Sequence, residues 1–414
     1  MTENTDPAWF KNLCGKRICI LTFGCTYNEG DSVKLLEILM ASGCTVAEST
    51  ETADAIIINT CIVIGSTERK MNRLIAAYQH RELYITGCMP LAYPDREYQS
   101  PSPVIIWPDE IHTYFHQIKT VSPIRGGIVQ IGKGCVGTCS YCITKRARGS
   151  LESFEKDEIL MYIRQMADAN VPEVRLTSQD LSAYGIDRGE ERLSDLLAEI
   201  NRIPGDFMVR LGMMNPATLL LIIDSLLPHL IGGKIFSFLH IPVQSGSDRV
   251  LSSMNRGYRV SDIMTILSAC RNAGDIGIAT DIITGFPGEE EEDVGATVDL
   301  LETMNPAMIH ITRYSLREGT TAASYKDMPD RIKKDRSREL TRVRDSLLRA
   351  RNQQMIGSII PVLVTEKVRS GSVTARTKSY QNVLIQQDLM PGTRVFVSIT
   401  GERTHFLIGE VVQV

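Results

Sequence analysis

Apolar and polar positions alternate along the chain in a strand-then-helix rhythm. Lys16–Phe23 is an apolar run, and residues 30–41 place Val33, Leu36, Leu39 and Met40 at helical spacing. Ala55–Asn59 reads as a short buried strand, Thr67–Tyr78 as a helix and Leu83–Thr86 as another strand, which implies a parallel sheet with right-handed crossovers. A Pro-rich connector with a short helix follows over residues 96–123.

From 124 to 330 the rhythm repeats about six times. Strands are expected near Ile128–Ile131, Glu173–Thr177, Phe207–Leu211, Ile235–His240, Ile276–Ile283 and Ala307–Tyr314. Six such units form part of a (β/α) barrel whose working edge lies at the C-terminal ends of its strands. Residues 331–351 read as one basic helix with Leu340, Val343, Leu347 and Leu348 as its apolar stripe. Beyond Ile359 short strands alternate with turns (359–364, 372–375, 382–385, 394–399, 407–414), as in a small antiparallel barrel. The expected fold is therefore α/β: an N-terminal domain at 1–120, a partial (β/α)6 barrel at 121–352 and a β-barrel at 353–414.

Composition adds little until it is divided. The net charge of the 414 residues is −4, yet residues 331–414 hold 15 Lys/Arg against 7 Asp/Glu. An acidic body with a basic end suggests that the end meets a polyanion, or that it is a solvated basic helix. No 18-residue apolar window and no leader-like N-terminus appears, so a cytoplasmic protein without a membrane span is expected. Ten cysteines in a chain of this kind point to metal, cluster or catalytic use beside a few buried thiols.

Two cysteine sets carry the chemistry. Cys135, Cys139 and Cys142 lie in one glycine-rich loop directly after the first barrel strand. Three thiolates there suit three irons of a cubane and leave the fourth without a protein ligand; zinc, the main alternative, wants a fourth ligand that no standard spacing offers. Cys25, Cys61 and Cys88 each fall just past an expected strand, and in a parallel sheet those positions share one edge. They would converge there, unless they are simply three small buried hydrophobes. Cys14, Cys19, Cys44 and Cys270 are read as structural thiols.

The Cys-x3-Cys-x2-Cys loop, with Tyr141 before its last cysteine, resembles the radical S-adenosylmethionine (SAM) superfamily. The whole chain from about residue 16 resembles that superfamily's methylthiotransferases. The resemblance rests on Phe23–Ser32, Asn59–Cys61 and Thr86–Pro90 in the N-terminal part, and on Leu176–Gly185, His240–Ser247, Met254–Tyr258, Asp281–Glu289 and Tyr314–Thr320 in the barrel. The C-terminal barrel is similar to a TRAM domain, an RNA-binding module. Gly87-Cys-Met-Pro90 and Gly212-Met-Met-Asn-Pro216 look like the archaeal and eukaryotic branch, which acts on threonylcarbamoyladenosine beside the tRNA anticodon. Other branches modify isopentenyladenosine in tRNA or an aspartate of a ribosomal protein.

The resemblance implies two 4Fe–4S clusters held by the six cysteines, and SAM used twice. One molecule gives a methyl group to a sulfur at the Cys25/Cys61/Cys88 cluster. The other gives a radical that removes hydrogen from C2 of the adenine. It implies that Tyr141 packs near the SAM adenine. By position, Gln179 and Asp180 are expected to hold SAM's methionine or ribose and Arg210 to pair with a carboxylate or form a lateral salt bridge; His240, a structural residue or a proton donor, and Gln244, a cofactor contact, flank the fourth strand's end. The expected partners are a tRNA anticodon stem-loop and an electron donor such as ferredoxin or flavodoxin, with the protein a monomer. Phosphate contacts are expected from the 331–351 helix and from Lys367, Arg369, Arg376 and Lys378, and base stacking from Tyr380.

Overall fold

The computed structural model describes residues 6–118, 125–189 and 192–413. Its N-terminal part is a five-stranded, wholly parallel sheet. Across it run Thr45–Val46, Arg17–Thr22, Ala55–Thr60, Glu82–Gly87 and Val104–Ile105. The middle strand Ala55–Thr60 is buried from end to end, which is why it reads as an unbroken apolar run. Register brings Thr22, Asn59 and Thr86 abreast at one edge, so the chain leaves all three strands toward Cys25, Cys61 and Cys88 on the same side.

The barrel consists of two three-stranded parallel sheets. One contains Ile128–Gln130, Glu173–Thr177 and Met208–Leu211; the other contains Phe238–His240, Gly277–Thr284 and Met308–Arg313. Bridges Val209–Ile235 and Met213–His240 join the sheets into one incomplete barrel. The fourth strand is shorter than its apolar run suggests, because the backbone at Ile235 touches its neighbour only through that single bridge. The helix Thr26–Ala41 packs against Ile128–Gln130. At Gly30 a Cβ would lie 3.1 Å from the Gln130 side chain, so glycine is what permits the approach. One apolar cluster runs from Ile18, Leu35 and Ile57 through to Val129, Leu176 and Leu239, so the N-terminal sheet and the barrel share a core.

The helix Asp330–Gln353 leads to a closed five-stranded barrel of Ile359–Arg369, Ser372–Arg376, Asn382–Ile385, Phe406–Val412 and Arg394–Arg403. Its pairing is antiparallel except between Asn382–Ile385 and Phe406–Val412, which run parallel to close the barrel. The small barrel is not a free appendage. Met208, Phe236, Phe238 and Ala279 form one buried cluster with its Leu363 and Tyr380. No helix among the described residues is long and apolar enough to cross a membrane.

Candidate active site

The N-terminal cysteines are gathered by close backbone packing. Gly24 takes φ +109°, and a Cβ on it would lie 2.9 Å from the Cys61 Cβ. Gly87 takes φ +87°, and a Cβ there would lie 2.2 Å from Asn59 Oδ1 and 2.5 Å from the Thr60 carbonyl. Only glycine adopts both conformations without strain. The Asn28 amide donates to the carbonyls of Phe23 (2.9 Å) and Thr60 (2.8 Å), tying the Cys25 and Cys61 loops together. Thr60 Oγ1 donates to the Thr86 carbonyl and accepts from the Met89 N–H, tying in the Cys88 loop. Cys25 occupies the N-cap position of the 16-residue helix Thr26–Ala41. Cys61 and Cys88 are buried and Cys25 is exposed. Burial pushes the Cys88 thiol up to about 11, against the pull of Arg148. A group that binds there as thiolate must therefore displace a proton.

The second set is wound as tightly. Gly132–Lys133 pairs with Glu152–Ser153 and closes the base of the loop. The Gly137 N–H donates to Cys135 Sγ at 3.2 Å, and a Cβ at Gly137 would lie 3.4 Å from that sulfur and 3.8 Å from Cys139 Sγ. Ser140 is held by the Met254 and Ser253 carbonyls at 2.9 Å each. Arg256, only 8% exposed, donates to Cys139 Sγ (3.1 Å), Asn215 Oδ1 (3.3 Å), the Pro242 carbonyl (3.1 Å) and the Tyr258 hydroxyl (2.9 Å). A buried guanidinium on a cysteine sulfur is what a loop built for thiolates requires.

One short helix connects the two sets. Cys142 caps Ile143–Arg148, a six-residue helix spanning about 9 Å at the rise of an α-helix. At its far end Arg148, with its side chain 5% exposed, donates to Asp31 Oδ2 (2.7 Å), to Asn28 Oδ1 (2.9 Å) and toward Cys88 Sγ (3.8 Å). Its guanidinium also lies 4.7 Å from the centre of the Tyr27 ring. Arg148 thus ties the segment that follows the second cysteine set to Asn28, Asp31 and Cys88 beside the first. Arg148, Arg256, Asn28 and Asp31 do this positioning, and sequence reasoning gave none of them a role. A buried arginine has the same sequence signature as a solvated one. The sole signals were Arg256 inside the Met254–Tyr258 motif and Asn28 and Asp31 inside Phe23–Ser32.

The expected cofactor contacts divide. Gln179 Oε1, the neighbouring Ser178 Oγ and Gln244 Oε1 are buried acceptors with no partner among the described residues. Gln244 is also held at φ +69°. Orphaned polar atoms at strand ends suit a polar ligand that would satisfy them. Tyr141 meets Phe286 of the Asp281–Glu289 turn edge-on at 6.3 Å. Asp180 is 2% exposed and its carboxylate is already occupied by Ser182, Thr218 and the Asn215 N–H, so its present role is to fix the Asn215 turn. Arg210 has no carboxylate partner within ion-pair distance among the described residues. It stacks at 5.8 Å on both Phe238 and Tyr380, low in the barrel. On the opposite wall Asp281 accepts from His240 (3.0 Å) and His310 (2.8 Å), which hold its carboxyl well below the usual range although burial opposes this.

Some of the expected RNA contacts need correction. Lys333 and Arg336 of the basic helix are buried in ion pairs with Asp327 and Glu289. Lys378 donates to the carbonyls of Gly233 and Ile235, and Lys367 pairs with Asp388. Tyr380 is 7% exposed and donates its hydroxyl to Glu173, so it has no free face for a base. Of these, Lys378 and Tyr380 fasten the small barrel to the large one, whereas Lys367 pairs within the small barrel and stays more than half exposed. The charge count could not show this, because it does not say which way a side chain points.

Comparison with known proteins agrees with this architecture. Residues 17–107 match the model of Uncharacterized protein family UPF0004, residues 129–301 that of the Radical SAM superfamily and residues 353–412 that of the TRAM domain. A relative from Archaeoglobus fulgidus, described as a probable threonylcarbamoyladenosine tRNA methylthiotransferase, is 37% identical over 95% of this chain and 98% of its own. One so described from Methanothermobacter thermautotrophicus is 36% identical over 90% and 94%. The human threonylcarbamoyladenosine tRNA methylthiotransferase is 32% identical over 99% of this chain and 76% of its own. Among solved structures, the radical SAM methyltransferase TsrM from Kitasatospora setae shares the fold, with a TM-score of 0.50 and 15% identity over 74% of this chain and 77% of that one. An iron–sulfur cluster and SAM therefore belong to the chemistry of this protein. On similarity along almost its entire length, the chain belongs to the threonylcarbamoyladenosine tRNA methylthiotransferases of the radical SAM superfamily.

Proposed function

We propose that the chain attaches a methylthio group to C2 of the adenine in N6-threonylcarbamoyladenosine, beside the anticodon of tRNA. The observation that supports this reading is the Ile143–Arg148 helix, which follows Cys142 and carries the Arg148 guanidinium to 3.8 Å from Cys88 Sγ, so that the segments bearing the two cysteine sets lie side by side. Proximity of that kind is what transfer between two centres demands.

In this reading Cys135, Cys139 and Cys142 hold one 4Fe–4S cluster and Cys25, Cys61 and Cys88 a second, each leaving one iron open to a ligand. When bound, the clusters and SAM supply hydrogen abstraction from an unactivated carbon and delivery of a methylated sulfur, chemistry beyond any side chain. The chain's own residues position and shield. Arg148 and Arg256 hold buried sulfurs and offset their charge, Gln179 and Gln244 offer acceptors to the SAM polar groups, and Tyr141 closes over the adenine side of that site. The chain divides functionally into 1–120, 121–352 and 353–414; a small ferredoxin or flavodoxin supplies electrons to the monomer in the cytoplasm.

The test is anaerobic expression in a host whose tRNA carries threonylcarbamoyladenosine but lacks its methylthio form, followed by mass spectrometry of tRNA nucleosides. A methylthio mass gain on threonylcarbamoyladenosine is expected. A gain only on isopentenyladenosine, or only on a ribosomal protein, would overturn the reading.

A further inference from the structure

The barrel floor carries charge that the methylthiolation reading leaves unused. Arg210 and Arg376 flank the Tyr380 ring, with guanidinium carbons 5.8 and 4.4 Å from its centre. Neither makes an ion pair or side-chain hydrogen bond among the described residues, and Arg376 Nε is buried without a partner. The nearby charges are otherwise engaged. Glu173 accepts from the Tyr380 hydroxyl, and Arg175 pairs with Glu29 at 3.3 Å and donates to the Gly126 carbonyl. Glu366 lines the adjoining cavity from the small barrel. Burial lowers the Arg210 pKa, opposed by Tyr380 and Glu173 and reinforced by the charges of Arg175 and Arg376. Tyr380 is held at φ +64°, a conformation that a non-glycine residue keeps only where its surroundings enforce it. Two half-buried guanidiniums, neither ion-paired among the described residues and only partly balanced by Glu173, can receive an anion.

A cavity of about 770 Å³ adjoins this floor. Arg376, Tyr380, Glu173 and Arg175 line it together with Thr22 and Glu29, and the Glu29 N–H donates to the Cys25 carbonyl one helical turn away. That is the size of a small-molecule site. Register sets Arg210 beside Arg175, two residues below the strand tip at Thr177, a drop of about 7 Å at the rise of a β-strand. The carboxylate of a threonylcarbamoyl arm lies four bonds from N6, a reach of roughly 5 Å at standard bond lengths. C2 and the N6 arm leave the purine in different directions, so an adenine with C2 turned to the cysteines has its arm free to point elsewhere.

We propose that Arg210 and Arg376, set against the Tyr380 ring, bind the threonyl carboxylate of the substrate's N6 arm and so select threonylcarbamoyladenosine over adenosines without that acid. The proposal rests on the reading above. It makes the C-terminal barrel part of the specificity pocket as well as an RNA module. Paired guanidiniums match a carboxylate in geometry and charge.

The experiment compares two anticodon stem-loops, one carrying threonylcarbamoyladenosine and the other its methyl amide, which keeps the arm and removes the negative charge. Wild-type enzyme should convert the acid at least about tenfold faster in kcat/KM. Arg210→Gln and Arg376→Gln should each lose about that factor on the acid and little on the amide, erasing the discrimination. The ratio of the two rates is taken on one preparation, so partial loss of folded enzyme cancels. Variants that discriminate as well as wild type would overturn the proposal. Equal losses on both stem-loops would also overturn it, because they would assign the arginines to RNA phosphate. Wild-type enzyme inactive on both would instead sink the functional reading on which the proposal rests.

Discussion

At the scale of single residues, two contacts decide whether the N-terminal cysteines form a site. Gly87→Ala would drive a methyl into Asn59 Oδ1 and the Thr60 carbonyl while straining φ +87°. The expected outcome is loss of iron from the Cys25/Cys61/Cys88 set alone. The variant should hold about half the iron of wild type and still cleave SAM under dithionite, without forming methylthio product. Full iron content would show that Cys88 does not depend on that turn. Arg148→Met leaves Asp31 buried with only the Gln130 amide, at 2.7 Å, still donating to it. Removing one member of a buried pair costs about 3 kcal/mol. Denaturant unfolding checks this, and a loss below 1 kcal/mol would count against the structural role given to Arg148. The thiols themselves were legible in sequence, because each follows a strand end and strand ends of a parallel sheet share an edge. Their arginine partners were not, since composition does not distinguish a guanidinium under a cysteine from one in water.

At the scale of elements, the helix Thr26–Ala41 carries an unusual burden. Lys34 is 8% exposed, with its ammonium 3.0 Å from His112 Nδ1. Burial lowers its pKa to about 8, against the opposing pull of Asp31 and Glu158. Between pH 8 and 10.5 the unfolded chain still carries the Lys34 proton that the folded chain has released. Stability due to this group therefore rises with pH across that window. Lys34→Met should accordingly be more stable than wild type at pH 7, and its advantage should shrink by about 3 kcal/mol by pH 10.5. Parallel unfolding curves at the two pH values measure this, and a constant difference would refute it. Apolar periodicity located this helix and the strand Glu173–Thr177 well, because amphipathic and buried runs have distinct periods. It could not place Lys34, a charge on the buried face, nor foresee that Asn382–Ile385 and Phe406–Val412 pair in parallel.

At the scale of the molecule, the small barrel is built into the large one. A Cβ on Gly277 would lie 2.2 Å from the Ser379 carbonyl, and the Ser237 N–H donates to the Lys378 carbonyl at 2.9 Å. Gly277→Ala should therefore pry the two apart, lowering the melting temperature and exposing the 353–358 segment to protease while iron per chain is retained. An unchanged melt and digest would refute this. Cutting the chain before residue 354 would uncover Phe236 and Phe238, now packed under Tyr380. Such a truncation would therefore damage the barrel as well as any hold on RNA, and the Gly277 variant is the cleaner probe.

Sequence alone determined the strand–helix rhythm, the three-part order of the chain and the two cysteine sets. Each of these follows from local periodicity or from the short spacing of reactive side chains. Tertiary structure decided which arginines serve the cysteines and that Tyr380 and Lys378 are turned against the large barrel. The reason is physical: burial and pairing of a charge depend on segments hundreds of residues apart, and a linear pattern carries no record of which segments meet.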